Sequence, residues 1–173
     1  MKKIVLELAR QAKKKGICKE WYSQLLGVTT LEDLFLMYLE GIDFCLSQNF
    51  PSNQFIKDNF SEEDINEFGI FLNQSKFLID PKKAVFLGAC SSSVQVSGYQ
   101  TTELFVTDTT KLSVLTTGSA FVMIDAFDET IVNLSAVNAS RVVVNLYGNA
   151  KLNILEQSTD CYIKEVKKYK KTY

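Results

Sequence analysis

Ala120-Phe-Val-Met-Ile-Asp-Ala-Phe-Asp-Glu-Thr-Ile-Val-Asn-Leu134 is answered twenty residues later by Ser140-Arg-Val-Val-Val-Asn-Leu-Tyr-Gly-Asn-Ala-Lys-Leu-Asn-Ile154. Val122 falls on Val142, Ile124 on Val144 and Asp125 on Asn145, and then Phe127 on Tyr147. Val132, Asn133 and Leu134 likewise fall on Leu152, Asn153 and Ile154. So many like-for-like matches in one unbroken register are hard to obtain by accident. A period near 20 with like residues superimposed is the signature of a β-solenoid, in which each coil buries its apolar side against the next.

Upstream, Leu104-Phe-Val106 pairs with Leu112-Ser-Val114, and Val85-Phe-Leu87 with Val94-Gln-Val96. Downstream, Cys161-Tyr-Ile163 opens a unit that is not completed. The expectation is a parallel β-helix over residues 84–166, of about four coils of about 18 to 20 residues each, right-handed by default. Turn-forming residues fill the gaps: Gly88 to Ser93, Gly98, Asp108 to Thr110, Thr116 to Ser119, Asp128-Glu129 and Gly148-Asn149. The competing arrangement is an antiparallel β-meander, because adjacent strands with short turns also form hairpins. Stacking of like on like at one full period favours the solenoid.

Each coil then holds two short strands, in which two inward residues bracket one outward residue. The second strands expose Gln95, Ser113, Asn133 and Asn153, a polar row that faces water. The first strands expose Phe86, Phe105, Met123, Val143 and Tyr162, all apolar or aromatic. Covering these five would contribute roughly 7–15 kcal/mol, and left bare they would form a patch of the kind that marks an interaction site. The row is the candidate interface. Its expected cover is either the N-terminal helices or another chain, a second copy of this one or a different protein.

Residues 1–80 read as a helical domain. Residues 2–15 are good helix formers with Ile4, Val5, Leu8, Ala9 and Ala12 on one face, and a lysine-rich last turn precedes Gly16. A second helix runs from Lys19 to Leu26. Thr30-Leu-Glu-Asp33 opens a third like a capping box, with Leu31, Leu34, Phe35, Tyr38 and Leu39 as its stripe. Ser52 or Asn53, and then Ser61-Glu-Glu-Asp64, start two more. Gly69–Leu72 and Phe77–Ile79 read as strands or extended connectors, and Pro81 separates the halves. Residues 167–173 form a basic tail with interleaved tyrosines, whose charges discourage strand addition at the last rung.

Hydrophobic residues make up 46% and charged residues 23%, a globular composition, and a net charge of -1 gives no field to gather nucleic acid or anionic lipid. Neither partner is expected. No signal-peptide core follows the initial Met-Lys-Lys, and no stretch is apolar enough for a membrane span, so a cytoplasmic protein is expected, with attachment to a virion as the other place. The four cysteines form no Cys-x-x-Cys pair and read as reduced thiols. Histidine is absent, which removes the commonest general base, the Ser/Cys-His nucleophile pairs and imidazole metal sites. The chain is therefore expected not to be an enzyme, and no catalytic residue, metal site or cofactor is assigned. Asp125 and Asp128, near one turn, are expected to bond neighbouring backbone.

Gly16-Ile-Cys-Lys-Glu-Trp21, Gly41-Ile-Asp-Phe-Cys45, Pro51-Ser-Asn53, Phe68-Gly-Ile-Phe71 and Ala120-Phe-Val-Met-Ile-Asp125 resemble a family encoded by gut Bacteroidales bacteria and their phages or prophages. The resemblance brings no assigned activity and no functional residues. It implies a mobile-element or viral accessory protein, where scaffold and assembly roles are common. The functional expectation is a non-enzymatic structural or interaction module, with small-molecule or glycan binding, as in an anti-defence factor, as the alternative.

Overall fold

The structure, a computed structural model, describes residues 1–173. The chain divides into a unit of residues 1–68 with Tyr173, and a unit of residues 69–172.

The first unit is helical: α1 (Lys2–Lys14), α2 (Lys19–Gly27), α3 (Leu31–Glu40), α4 (Ile42–Ser47), α5 (Asn53–Asn59) and α6 (Glu62–Asn66). Side-chain oxygens of Thr30, Ser52 and Ser61 accept the otherwise orphaned N–H groups of Asp33, Phe55 and Asp64, so three helices start at the residues that sequence logic marks. Around Ser61 the capping box is complete, and the hydrogen bonds from Ser61 hold the Asp64 carboxyl below its ordinary value. On α1, Arg10 grips Glu7 with two hydrogen bonds of 2.9 and 2.6 Å, and with Gln11 it holds that carboxyl down at about 2. Leu8, Ala9 and Ala12 of α1 pack with Leu25, Leu34, Cys45 and Phe50 as one core. No helix is long and apolar enough to cross a membrane.

The second unit holds eleven strands: β1 (Ile70–Leu72), β2 (Phe77–Ile79), β3 (Lys83–Leu87), β4 (Ser91–Val96), β5 (Thr101–Val106), β6 (Lys111–Thr116), β7 (Phe121–Ala126), β8 (Ile131–Ala136), β9 (Arg141–Tyr147), β10 (Lys151–Gln157) and β11 (Tyr162–Lys168). They form two sheets, β1-β3-β5-β7-β9-β11 and β10-β8-β6-β4-β2. Every pairing is parallel and joins strands two apart in sequence. The chain thus alternates between the sheets and climbs one rung per circuit: a parallel β-solenoid of about five turns. A meander would need antiparallel neighbours, and there are none.

The solenoid begins earlier than the repeat suggested. β1 pairs with β3 and β2 with β4, so the first coil starts at Ile70 rather than near residue 84, and the division between units lies at residue 69 rather than 80. Three-residue strands are too short for alternation to show in the sequence. At the other end β11 takes Lys167 and Lys168 out of the expected basic tail and into the sheet.

Inward residues of both sheets, among them Leu104, Val122, Ile124, Val132, Leu134, Val142 and Val144, stack into one apolar column. Small hydroxyls complete it at the corners. Thr110 donates to the carbonyl of Gly88 (3.0 Å), and the hydroxyls of Thr116 and Ser140 lie 2.9 Å apart.

The corners carry a second ladder. Asp80, Asp108, Asp128 and Asn138 all have positive φ, which Asp and Asn tolerate better than other side-chain-bearing residues. From that conformation each side chain accepts a backbone N–H of an adjacent coil: Asp128 from Asp108 (3.0 Å), Asp108 from Gly88 (2.7 Å), Asn138 from Gly118 (3.3 Å) and Asp80 from Ser97 (2.7 Å). Gly118 supplies the same φ where space is short, since a Cβ there would lie 3.0 Å from backbone atoms of Gly98.

Two consequences for stability follow. Asp128→Ala removes a charge-assisted bond and forces alanine into left-handed backbone, so it should cost about 2 kcal/mol in urea unfolding, whereas Asp128→Asn should cost much less. Gln74 is buried with neither its side-chain oxygen nor its nitrogen hydrogen-bonded. Gln74→Met keeps the shape and removes the desolvation penalty, and should raise stability by about 1 kcal/mol; a loss in the same titration would mean that the amide is satisfied.

Candidate functional site

Strand register fixes which outward side chains of the β1-to-β11 sheet are neighbours. Three rows run along the solenoid axis on its outer face. The first is Thr101, Phe121, Arg141 and Tyr162; the second is Lys83, Glu103, Met123, Val143 and Lys164; the third is Val85, Phe105, Asp125, Asn145 and Val166.

Four of the five residues expected to form a single apolar row stand on this face, but they belong to three rows. Phe105 is in the third row, Met123 and Val143 are in the second, and Tyr162 is in the first. Phe86 is the exception. It is 0% exposed, belongs to the interior column and stacks on Phe71 with ring centroids 5.4 Å apart. Phe86 pairs with Val106, so Val85 rather than Phe86 is the partner of Phe105. Superimposing Val85-Phe-Leu87 on Leu104-Phe-Val106 shifts the true pairing by one residue, and one residue turns a strand's faces over.

The face is not uniformly accessible. Val85 and Phe105 are buried, Phe105 to 5%, and the Lys83 ammonium lies 5.7 Å from the centre of the Phe105 ring. Asp125 is buried as well and accepts a 2.6 Å hydrogen bond from the Asn145 side chain. Beside it Tyr147 stacks on Phe127 at 4.6 Å, and burial, followed by the charge of Asp125, raises the Tyr147 phenol above its ordinary value. The third row is thus occupied by internal contacts.

The first two rows are open. Phe121 is 39% and Tyr162 55% exposed, with Met123 and Val143 half-buried between them. Met123 and Val143 are direct cross-strand partners, and Phe121 lies on the same face of β7 as Met123. Phe121, Met123, Val143 and Tyr162 therefore form one contiguous apolar patch, interrupted only by Arg141. Its borders are charged. Glu103, bound to Lys83 at 3.0 Å, closes one end and Lys164 the other. Phe121 escapes a sequence reading built on triplets, because it precedes the strand's first inward residue.

The outer face of the second sheet differs. Ser93, Ser113, Asn133 and Asn153 form one row, in which the Asn153 amide donates to Asn133 at 2.9 Å, and Gln95 stands one row over, paired with Leu115. The expected polar residues stand on this face, sharing it with Leu115, 38% exposed. The face begins, though, with Phe77 and Ile79 of β2, each 63% exposed, which the short strand hid from the sequence reading.

The carboxylates nearest the turns are committed to structure. Asp80, Asp108 and Asp128 accept backbone N–H groups, and Asp125 holds Asn145. No three His, Cys, Asp or Glu side chains converge on a point where they could hold a metal. Among the thiols, Cys45 is pushed up to about 12 by burial, aided by Asp43, far from a nucleophile's range.

Compared with protein-family profiles, with curated proteins and with solved structures, the chain matches none.

Proposed function

We propose that this chain is a non-enzymatic interaction protein that docks a protein partner on the Phe121–Met123–Val143–Tyr162 patch. The observation that carries this reading is the contrast within one face: the third row is spent on buried internal contacts, while the two rows beside it leave apolar side chains in the open. Apolar surface left partly open, with Glu103 and Lys164 at its ends and Arg141 within it, has the composition of an interface core with a polar border. The commitment of the turn carboxylates to backbone and the absence of histidine support a role without catalysis. In the mobile-element setting that the family resemblance implies, such a chain serves inside the cell or on a virion as a scaffold or assembly module.

A photo-crosslinking phenylalanine analogue at position 121, irradiated in cells of the source organism, should yield a protein adduct, and the same analogue at the exposed turn residue Tyr99 should not. Equal labelling at both positions, or none at either, would remove the patch as an interface.

The second sheet favours a different reading for its own face. A neutral row of hydroxyls and carboxamides running from an exposed Phe77 matches the hydrogen bonding and stacking that a neutral glycan offers. Titration with neutral hexasaccharides should then raise the melting temperature of the wild type but not of Phe77→Ala; no shift with any of them rejects glycan binding.

A further inference from the structure

The order of residues along the two open rows says more than that something docks there. Between β5 and β11 the second row reads Glu103, Met123, Val143, Lys164: acidic, apolar, apolar, basic. The first row reads Thr101, Phe121, Arg141, Tyr162. Place a two-fold axis in the plane of the face, parallel to the strands and midway between β7 and β9. The operation reverses each row and lays it on itself. Glu103 then meets Lys164 of the second copy, and Met123 meets Val143. In the first row, Phe121 meets Arg141 and Thr101 meets Tyr162. Both ends gain an ion pair, the centre gains apolar contact, and the one cation inside the patch gains an aromatic ring to lie on.

A two-fold contact requires this property, because the same surface must be complementary to itself. The reverse arrangement, copies side by side with their rows in the same direction, would put Glu103 against Glu103 and Lys164 against Lys164.

We infer that the occupant of the patch is a second copy of this chain, paired face to face across an axis between β7 and β9, with Glu103–Lys164 ion pairs at both ends and Phe121–Arg141 contacts within. The inference rests on the interaction reading above and names its partner. Two rows across four strands at about 4.8 Å spacing cover much less than the ~800 Å² per partner of a standard stable complex. The dimer should accordingly dissociate in the micromolar range and weaken with salt, as rim charges do.

Sedimentation velocity over a concentration series tests it. The wild type should pass reversibly from monomer to dimer. Glu103→Lys and Lys164→Glu should each weaken the dimer about tenfold or more, because each sets like charges together at two places. Combined in one chain, with Lys83→Glu added so that the neighbouring Lys83–Glu103 pair is reversed as well, the two reversals should restore it, since the pairs re-form with opposite polarity. Met123→Asp should abolish it, and circular dichroism and thermal unfolding show whether each variant keeps its fold. Should Met123→Asp unfold, Phe121→Ala and Arg141→Ala, both exposed, serve in its place, each weakening the dimer.

A wild type that stays monomeric at every concentration overturns self-pairing, as does a dimer indifferent to the single reversals or one that the combined reversal fails to rescue. Crosslinking from position 121 separates this failure from that of the wider reading. An adduct to a different protein alone ends the dimer and leaves the docking surface, whereas no adduct ends both.

Discussion

Everything in the second unit depends on parallel register between coils about twenty residues apart. A strand here has no hairpin partner. Its backbone groups are satisfied only by the strands one full circuit before and after it, and its inward side chains are buried only if those strands point theirs inward at the same places. Ile124 needs Leu104 behind it and Val144 ahead, and each of these needs the next. A slip of one residue in any coil would carry polar outer residues into the column and apolar ones out. Neighbouring coils are therefore bound to the same alternation, and this shared constraint produces the repeat visible in the sequence.

The corners help to hold the register. A parallel sheet alone tolerates a shift of two residues, because inward positions then still meet inward positions. The turn ladder does not. The Asp128 carboxylate reaches the Asp108 N–H, and the Asp108 carboxylate the Gly88 N–H, only when the corners are stacked. The left-handed Asp or Asn at Asp80, Asp108, Asp128 and Asn138 aims its short side chain at the adjacent coil, and other corners use glycine for the same conformation, as at Gly118. The same ladder explains why acidic residues sit in these turns without forming a charged site. Their negative charge is met by backbone N–H dipoles rather than by a ligand.

The repeat was legible because seven matched positions in two consecutive coils obey one offset. Much of the helical unit was legible because Thr30, Ser52 and Ser61 mark its starts chemically. What the sequence hid is local in each case. β1 and β2 are three residues long, and three residues cannot display a period of two. Phe86 reads as outward because Val-Phe-Leu resembles Leu-Phe-Val, although the pairing runs through Ala84 with Leu104 and Phe86 with Val106. At the far end, the irregularity between Ile154 and Glu156 adds a residue, so that Tyr162 pairs with Arg141 at an offset of twenty-one. That added residue turns Tyr162 outward, since at an offset of twenty it would pair with the inward Val142, and it puts Tyr162 in the row of Arg141 rather than that of Val143. The candidate surface was thus visible as a list of outward apolar residues, and its geometry was not. Burial of Asp125 and Tyr147 left no trace in the sequence at all, since polar residues at outward positions read as solvated.

Row membership matters because a solenoid face behaves as a lattice. Strand spacing is fixed along one direction and side-chain spacing along the other, so each outward residue occupies a defined point with known neighbours. On an irregular surface, complementarity must be built by shape. On a lattice it can be written as an order of residue types. The stretch Glu103, Met123, Val143, Lys164 is directional: laid on itself in reverse it pairs opposite charges, and laid on itself in the same direction it sets like charges together at two places, without any special shape. Phe121 and Arg141 carry the same sense in the adjoining row. Because both rows reverse about the same line between β7 and β9, their preferences reinforce one another. The interior column demands like residues from coil to coil, whereas the outer rows change from rung to rung, and that freedom lets a uniform scaffold hold an asymmetric and specific face.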